Sequence, residues 1–342
     1  MSESASETLA PVEPLAVLPS SLPSEKATVT TGPPSDAAST PRPRRADSAS
    51  PPSALARADA FIAHLQRCMQ TRAGADTVLM FACYATRLAG NVLDIGGRAA
   101  LRSSARQLVA ALFSLPPSTS VVLKPATMPR SVALVLDLAA RLQAYSGMVS
   151  EMRTMGRLWG LLGLYSAVKG LMAARSKQQQ QQQKQTDSLS DESAEKTFAA
   201  LVAWAQTLCL VVFQVCENAA YLGSKKILPI KPQSQGRLAI LSVRFWGAYV
   251  AMEVVKHLTE RARRLSASGG VKTTTTAAAA AAAAEEKRWQ EDWRTAFYRN
   301  AAWAPLTMHW GTPGGLLPDV LVALFALYPA TGGMRDLWRR TA

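Results

Sequence analysis

The sequence predicts an all-α, membrane-associated helical bundle with an amphipathic interfacial helix, one to three embedded or spanning hydrophobic helices, and a disordered N-terminal tail. Three observations predict it. No stretch sustains the period-two alternation of a half-buried strand, whereas apolar residues recur at helical spacing through most of the chain. Charged residues make up 18% of the 342 residues and apolar ones 48%, against roughly 25% charged in an ordinary soluble domain. Arg and Lys border long apolar runs, as in helices that meet lipid headgroups.

The charge balance points the same way. Net charge is +14; the first 54 residues hold six acidic and four basic side chains, so the remainder carries +16. A body this basic suits a polyanion, either nucleic acid or anionic lipid. The apolar runs beside the cations favour an anionic phospholipid membrane, and no nucleic-acid partner is expected.

Along the chain, residues 1–54 are rich in Pro, Ser, Thr and Ala, without periodicity. Such a segment buries too little surface to offset its chain entropy and is expected to be disordered, with no secretory leader. A helical membrane domain is expected over 55–342, with low-complexity insertions at about 176–196 and 266–284. Ala58–Arg72 places Phe61, Leu65, Cys68 and Met69 on one stripe, Thr77–Ala89 continues as an apolar helix, and Ser131–Val149 aligns Val132, Val135, Leu136, Ala139 and Leu142. The cysteines Cys68, Cys83, Cys209 and Cys216 lie within these apolar patterns without C-x-x-C spacing and read as reduced, buried thiols.

Five segments are candidates for function. On a helical wheel, Gly96–Phe113 gathers Leu101, Ala105, Leu108 and Leu112 on one arc, edged by Arg98, Arg102 and Arg106, with Val109 and Phe113 falling among the arginines. An interfacial helix needs leucines for the acyl region and guanidinium groups for lipid phosphate; an exposed helix packed on its neighbours would show the same pattern. Thr197–Cys216 carries no formal charge over twenty residues, which fits either a membrane span or a buried core helix. Leu238–Met252 is interrupted by Arg244 and followed by Lys256, Arg261, Arg263 and Arg264, which suit either a surface facing anionic lipid or an ordinary solvated face. Val320–Met334 is uncharged and followed by Arg335, Arg339 and Arg340, so it would face its C-terminal end to the cytosol if it spans. Gly156 and Gly160 form G-x-x-x-G, with Gly163 beyond, a spacing that lets helices approach closely within or between chains.

No P-loop, nucleophile elbow or H-E-x-x-H occurs, and His64, His257 and His309 are far apart. No enzymatic activity, metal or cofactor is expected.

Four stretches together resemble the peroxisomal biogenesis factor 11 family, in particular its filamentous-fungal branch: 156–165 (GRLWGLLGLY), 217–225 (ENAAYLGSK), 299–310 (RNAAWAPLTMHW) and 333–338 (GMRDLW). The resemblance covers about 55–342 apart from the insertions. It implies a peroxisomal membrane protein that elongates membrane before division, self-associates into a homo-oligomer, and works with a dynamin-type GTPase and its membrane adaptor. It also implies that Gly96–Phe113 is the lipid-inserting helix, with Arg98, Arg102 and Arg106 as lipid contacts. The chain lacks an S-K-L-type end, so the expected route to a peroxisome is through the membrane. The same resemblance permits a metabolite pore or carrier, whose polar path Gln206, Gln214 and Arg244 would line.

Overall fold

The computed structural model describes residues 54–114, 116, 129–184, 191–268 and 276–342; the expected tail, apart from Ala54, lies outside the described residues. Eight helices follow one another among them: α1 (Ala54–Met69), α2 (Arg72–Phe113), α3 (Arg130–Arg157), α4 (Gly160–Lys184), α5 (Asp191–Ser224), α6 (Pro232–Ser268), α7 (Thr276–Trp310) and α8 (Asp319–Thr341).

The protein has membrane-protein character. α2, α3, α5 and α6 are each long and apolar enough to cross a bilayer, and only 17–28% of their most apolar windows is buried by the rest of the chain. The expected apolar run of α8 is not among the four. Its Val322, Ala323, Ala326 and Ala330 are fully buried and contribute to the core instead.

α1 and α2 meet at a tight corner. The Thr71 hydroxyl accepts the Gly74 backbone N–H at 3.0 Å and caps the start of α2. A Cβ on Gly74 would lie 2.0 Å from the Cys68 carbonyl oxygen, so only glycine fits there.

The two helices expected at Thr77–Ala89 and Gly96–Phe113 are one continuous helix of 42 residues, roughly 60 Å long. Gly96 and Gly97 do not interrupt it. Gly97 lets α3 come close instead, because a Cβ there would meet Leu136 at 2.6 Å. The antiparallel α2–α3 pair is held by small and polar residues along its length. The Ser146 hydroxyl donates to the Cys83 carbonyl at 2.9 Å, Gln143 donates to Asn91 at 3.1 Å, and Gly90 lies under Gln143.

The insertions expected at 176–196 and 266–284 lengthen helices where they are described. α4 continues through the glutamines to Lys184, and α7 starts at Thr276 and includes the alanines. Gln and Ala are both good helix formers, so tracts of them propagate a neighbouring helix.

α5 ends in a Schellman turn. Lys226 (φ 59°) takes the left-handed position, and the Ile227 N–H bonds the Leu222 carbonyl at 3.0 Å. α6 then returns antiparallel to α5. The core lies where α2, α5, α6, α7 and α8 converge on Trp246, which is fully buried and packs against Trp303 at 5.5 Å, Trp310 at 6.1 Å and Phe213 at 6.2 Å. α1 closes the bundle over the far end of α8: the His64 ring stacks on Trp338 with centroids 3.8 Å apart, and its Nε2 lies 3.0 Å from the Thr341 hydroxyl. The four cysteines are free thiols, and all but the half-buried Cys209 are buried.

Gly74→Ala must push a side chain into backbone at the α1–α2 corner and should destabilise the protein by about 1–3 kcal/mol. Gly96→Ala meets nothing within 4 Å in a helix interior, and should stabilise it by about 0.5–1 kcal/mol. Thermal unfolding of both variants in detergent, followed by circular dichroism, tests this contrast.

Candidate membrane-contact site and its polar anchors

The register of the α2–α3 pair runs from Asp76 opposite Arg153, through Cys83 opposite Ser146, to Gly97 opposite Leu136. Continued at the same register, the start of α3 at Arg130 falls opposite residues near Arg102. The last three turns of α2 therefore run past α3 without a helical partner among the described residues. This arm is the second half of the expected interfacial helix.

Arg98 is exposed and paired with Asp94 at 2.7 Å. Leu101 is half-buried at the root of the arm. Arg102 and Arg106 are exposed and make no ion pair among the described residues. Leu108, Val109 and Phe113 are exposed at 45%, 50% and 87%, while the Leu112 side chain lies outside the described residues. An acyl–headgroup boundary is a medium that solvates open apolar side chains and guanidinium groups side by side.

The G-x-x-x-G segment is not one helix face. α3 ends at Arg157, Leu158 and Trp159 form a turn, and Gly160 opens α4. Gly156 and Gly163 therefore face open space, with nothing within 4 Å of where a Cβ would stand, whereas a Cβ on Gly160 would meet Gln214 at 2.6 Å. Of the three glycines expected to pack helices, Gly160 alone does so among the described residues.

The break leaves carbonyls of the last turn of α3 unbonded, and α5 supplies their partners. Gln214 Nε2 donates to the Arg157 carbonyl at 3.0 Å, and Asn218 Nδ2 donates to the Leu158 carbonyl at 3.3 Å. Between them, Arg157 and Glu217 form a two-pronged ion pair, Nε–Oε2 2.9 Å and Nη2–Oε1 2.7 Å, with side chains only 7% and 4% exposed. One turn back, the buried Arg153 donates to Asp76 at 2.9 Å and so ties α3 to α2.

Two further polar residues in apolar helices are likewise engaged. Gln206 donates to Glu253 at 2.7 Å, and Arg244 donates to the Gly311 carbonyl at 3.1 Å. With Gln214 capping α3, all three residues proposed to line a polar path link helices. Two of the four cations after Leu238–Met252 are engaged by α7. Arg261 and Arg264 each stack over a tryptophan of α7, Trp293 and Trp289, at 4.4 Å, and Arg264 also pairs with Glu286 at 3.0 Å. They zip α6 to α7.

Beyond α7, His309 organises the turn into α8. Its Nδ1 accepts the backbone N–H groups of Leu316 at 2.7 Å and Leu317 at 2.9 Å. Gly315 (φ 72°) passes so close to the ring that a Cβ would come within 2.4 Å of it. Burial pushes the imidazole pKa below its usual value, Asp319 opposes that shift, and Arg87 adds to it.

Among the described residues no group of three or more His, Cys, Asp or Glu side chains is placed to hold a metal ion. No family model, curated protein or solved structure matches the chain.

Two measurements probe these anchors. Glu217→Ala strands a buried guanidinium and should cost about 3–5 kcal/mol, whereas Arg157→Met with Glu217→Leu should cost clearly less; detergent melts of the single and double variants give the comparison. The lowered pKa of His309 means the unfolded chain binds its proton more readily. Its contribution to stability is complete above the unfolded pKa near 6.5 and is lost as pH falls through the lower folded value. Melts from pH 8 to 5 should therefore fall more steeply for the wild type than for His309→Gln.

Proposed function

We propose that this chain is a peroxisomal membrane protein that remodels and elongates the membrane and thereby promotes peroxisome proliferation and fission. One observation carries the reading: the four segments that resemble the peroxisomal biogenesis factor 11 family meet in pairs. The first and second are joined by the buried Arg157–Glu217 pair. The third and fourth are joined by Arg299–Asp336 at 2.6 Å. Segments far apart in sequence are expected to share a family pattern when they make one another's contacts.

The arm of α2 supplies the mechanism. Leu108, Val109 and Phe113 insert at the level of the outer acyl carbons while Arg102 and Arg106 hold lipid phosphate. Insertion into one leaflet widens that leaflet, and curvature relieves the resulting stress. The partners of this reading are an anionic phospholipid membrane, further copies of the chain, and the dynamin-type GTPase with its membrane adaptor. A pore or carrier draws less support, because Gln206, Gln214 and Arg244 are taken up in helix-to-helix hydrogen bonds.

The test uses the full chain in two settings. A fluorescent fusion should co-localise with a peroxisomal marker, and reconstituted protein should tubulate vesicles containing phosphatidylserine. Each arginine near a charged surface contributes about 1 kcal/mol, so Arg102→Gln with Arg106→Gln should weaken vesicle binding on the order of 30-fold. Leu108→Glu should abolish tubulation. A location elsewhere rules out the organelle, and undiminished tubulation by both variants rules out the arm.

A further inference from the structure

We infer that the cleft between α7 and α8 is a binding site for a single anionic glycerophospholipid, separate from the arm of α2. The cleft encloses about 860 Å³, within the roughly 300–1,000 Å³ of sites that take small organic ligands. Its polarity is graded from end to end.

The cationic end is built by Arg294 and Arg299 of α7 facing Arg335 and Arg339 of α8. Arg299 is committed to Asp336, and its guanidinium lies against Gly332, where a Cβ would come within 2.6 Å of Nε. That ion pair braces the two walls. Arg294, Arg335 and Arg339 line the same end and make no ion pair among the described residues, so their N–H groups remain open to a ligand. The carboxylates of Glu291 and Asp292 also line this end. Three open guanidinium groups against two carboxylates leave one positive charge, which matches a headgroup of net charge −1. Arginine forks suit a phosphodiester, and the acidic pair suits an ammonium group carried beside it.

Towards the start of α8 the wall turns apolar. Thr331 is followed by Tyr328, Leu327 and Leu324, so the lining passes from hydroxyl to hydrocarbon. Tyr328 and Leu324 are 53% and 51% exposed, one helical turn apart on the same face. A cationic shelf that continues into an open apolar strip fits an amphiphile, with phosphate at the arginines and acyl chain along Leu324. A free phosphate would use only half the cleft. Neither α7 nor α8 is among the four helices able to span a membrane. The inference goes beyond the remodelling reading, for it needs neither the arm nor any one organelle.

The test is calorimetric titration of the full chain, in neutral detergent, with dihexanoyl phosphatidylserine, which dissolves as a monomer. Saturable one-site binding is expected, weakened on the order of tenfold or more by Arg335→Gln with Arg339→Gln and severalfold by Tyr328→Ser. The Arg335→Lys, Arg339→Lys pair should recover part of the loss, and Arg102→Gln with Arg106→Gln should change nothing. Dihexanoyl phosphatidylcholine should bind more weakly. Absence of saturable binding overturns the inference, as does full competition by inorganic phosphate, which would mark a plain anion site. Should the glutamine pair lose helicity by circular dichroism, the Tyr328→Ser variant decides, and unchanged binding there overturns it. Sensitivity to the arm variant would move the lipid to α2. Because the titration has no bilayer, its failure leaves vesicle tubulation standing, and the reverse holds as well.

Discussion

A polar group inside an apolar bundle is costly unless the chain itself supplies a partner, because neither lipid nor packed core offers one. The break between α3 and α4 places this requirement at its sharpest. Ending α3 at Arg157 frees backbone carbonyls and buries a guanidinium, and α5 meets both demands from one face with Gln214, Glu217 and Asn218 at three- and four-residue spacing. Taking two charges out of water costs several kcal/mol per ion, and two short, parallel hydrogen bonds offset that cost only while both partners are present. The pair therefore specifies where α5 sits more than it adds stability. The same logic places Arg153 on Asp76 and Gln206 on Glu253.

The distribution of apolar surface follows from a bundle solvated by lipid. Inside, aromatic rings around Trp246 fill the space where five helices converge. Outside, Leu134, Leu138, Met148 and Met152 of α3, and Leu201 and Leu208 of α5, are left open. In water such a surface would associate or aggregate. In acyl chains it costs nothing, and helix contacts come instead from close approach at small residues such as Gly90, Gly97 and Gly160.

Much of this was legible in the residues, and the departures have physical causes. The helical class followed from periodicity, and Thr197–Cys216 proved to lie within one of the four long apolar helices. Gly96 and Gly97 lie inside one continuous helix, and contact with Leu136 makes the second of them a packing notch that periodicity alone does not show. The G-x-x-x-G spacing is split by a turn, so Gly160 packs against Gln214 while Gly156 and Gly163 face open space; spacing says nothing about whether the intervening backbone stays helical. Val320–Met334 is an apolar run whose Val322, Ala323, Ala326 and Ala330 go to the protein core, and its helix is not among the four able to span. Arg261 and Arg264 look lipid-facing until Trp293 and Trp289 of α7 are placed against them.

By itself the sequence determined that the chain is helical, basic and richer in apolar surface than its own core can use, since periodicity and composition are local properties. It also placed cationic residues at the edges of apolar runs. Only the tertiary structure decided which arginines are engaged by carboxylates and rings, and which stay open on the arm of α2 and in the cleft between α7 and α8. A charge is free or paired according to what lies within about 4 Å of it, and in this fold those neighbours come from residues as far apart in the chain as Arg157 and Glu217.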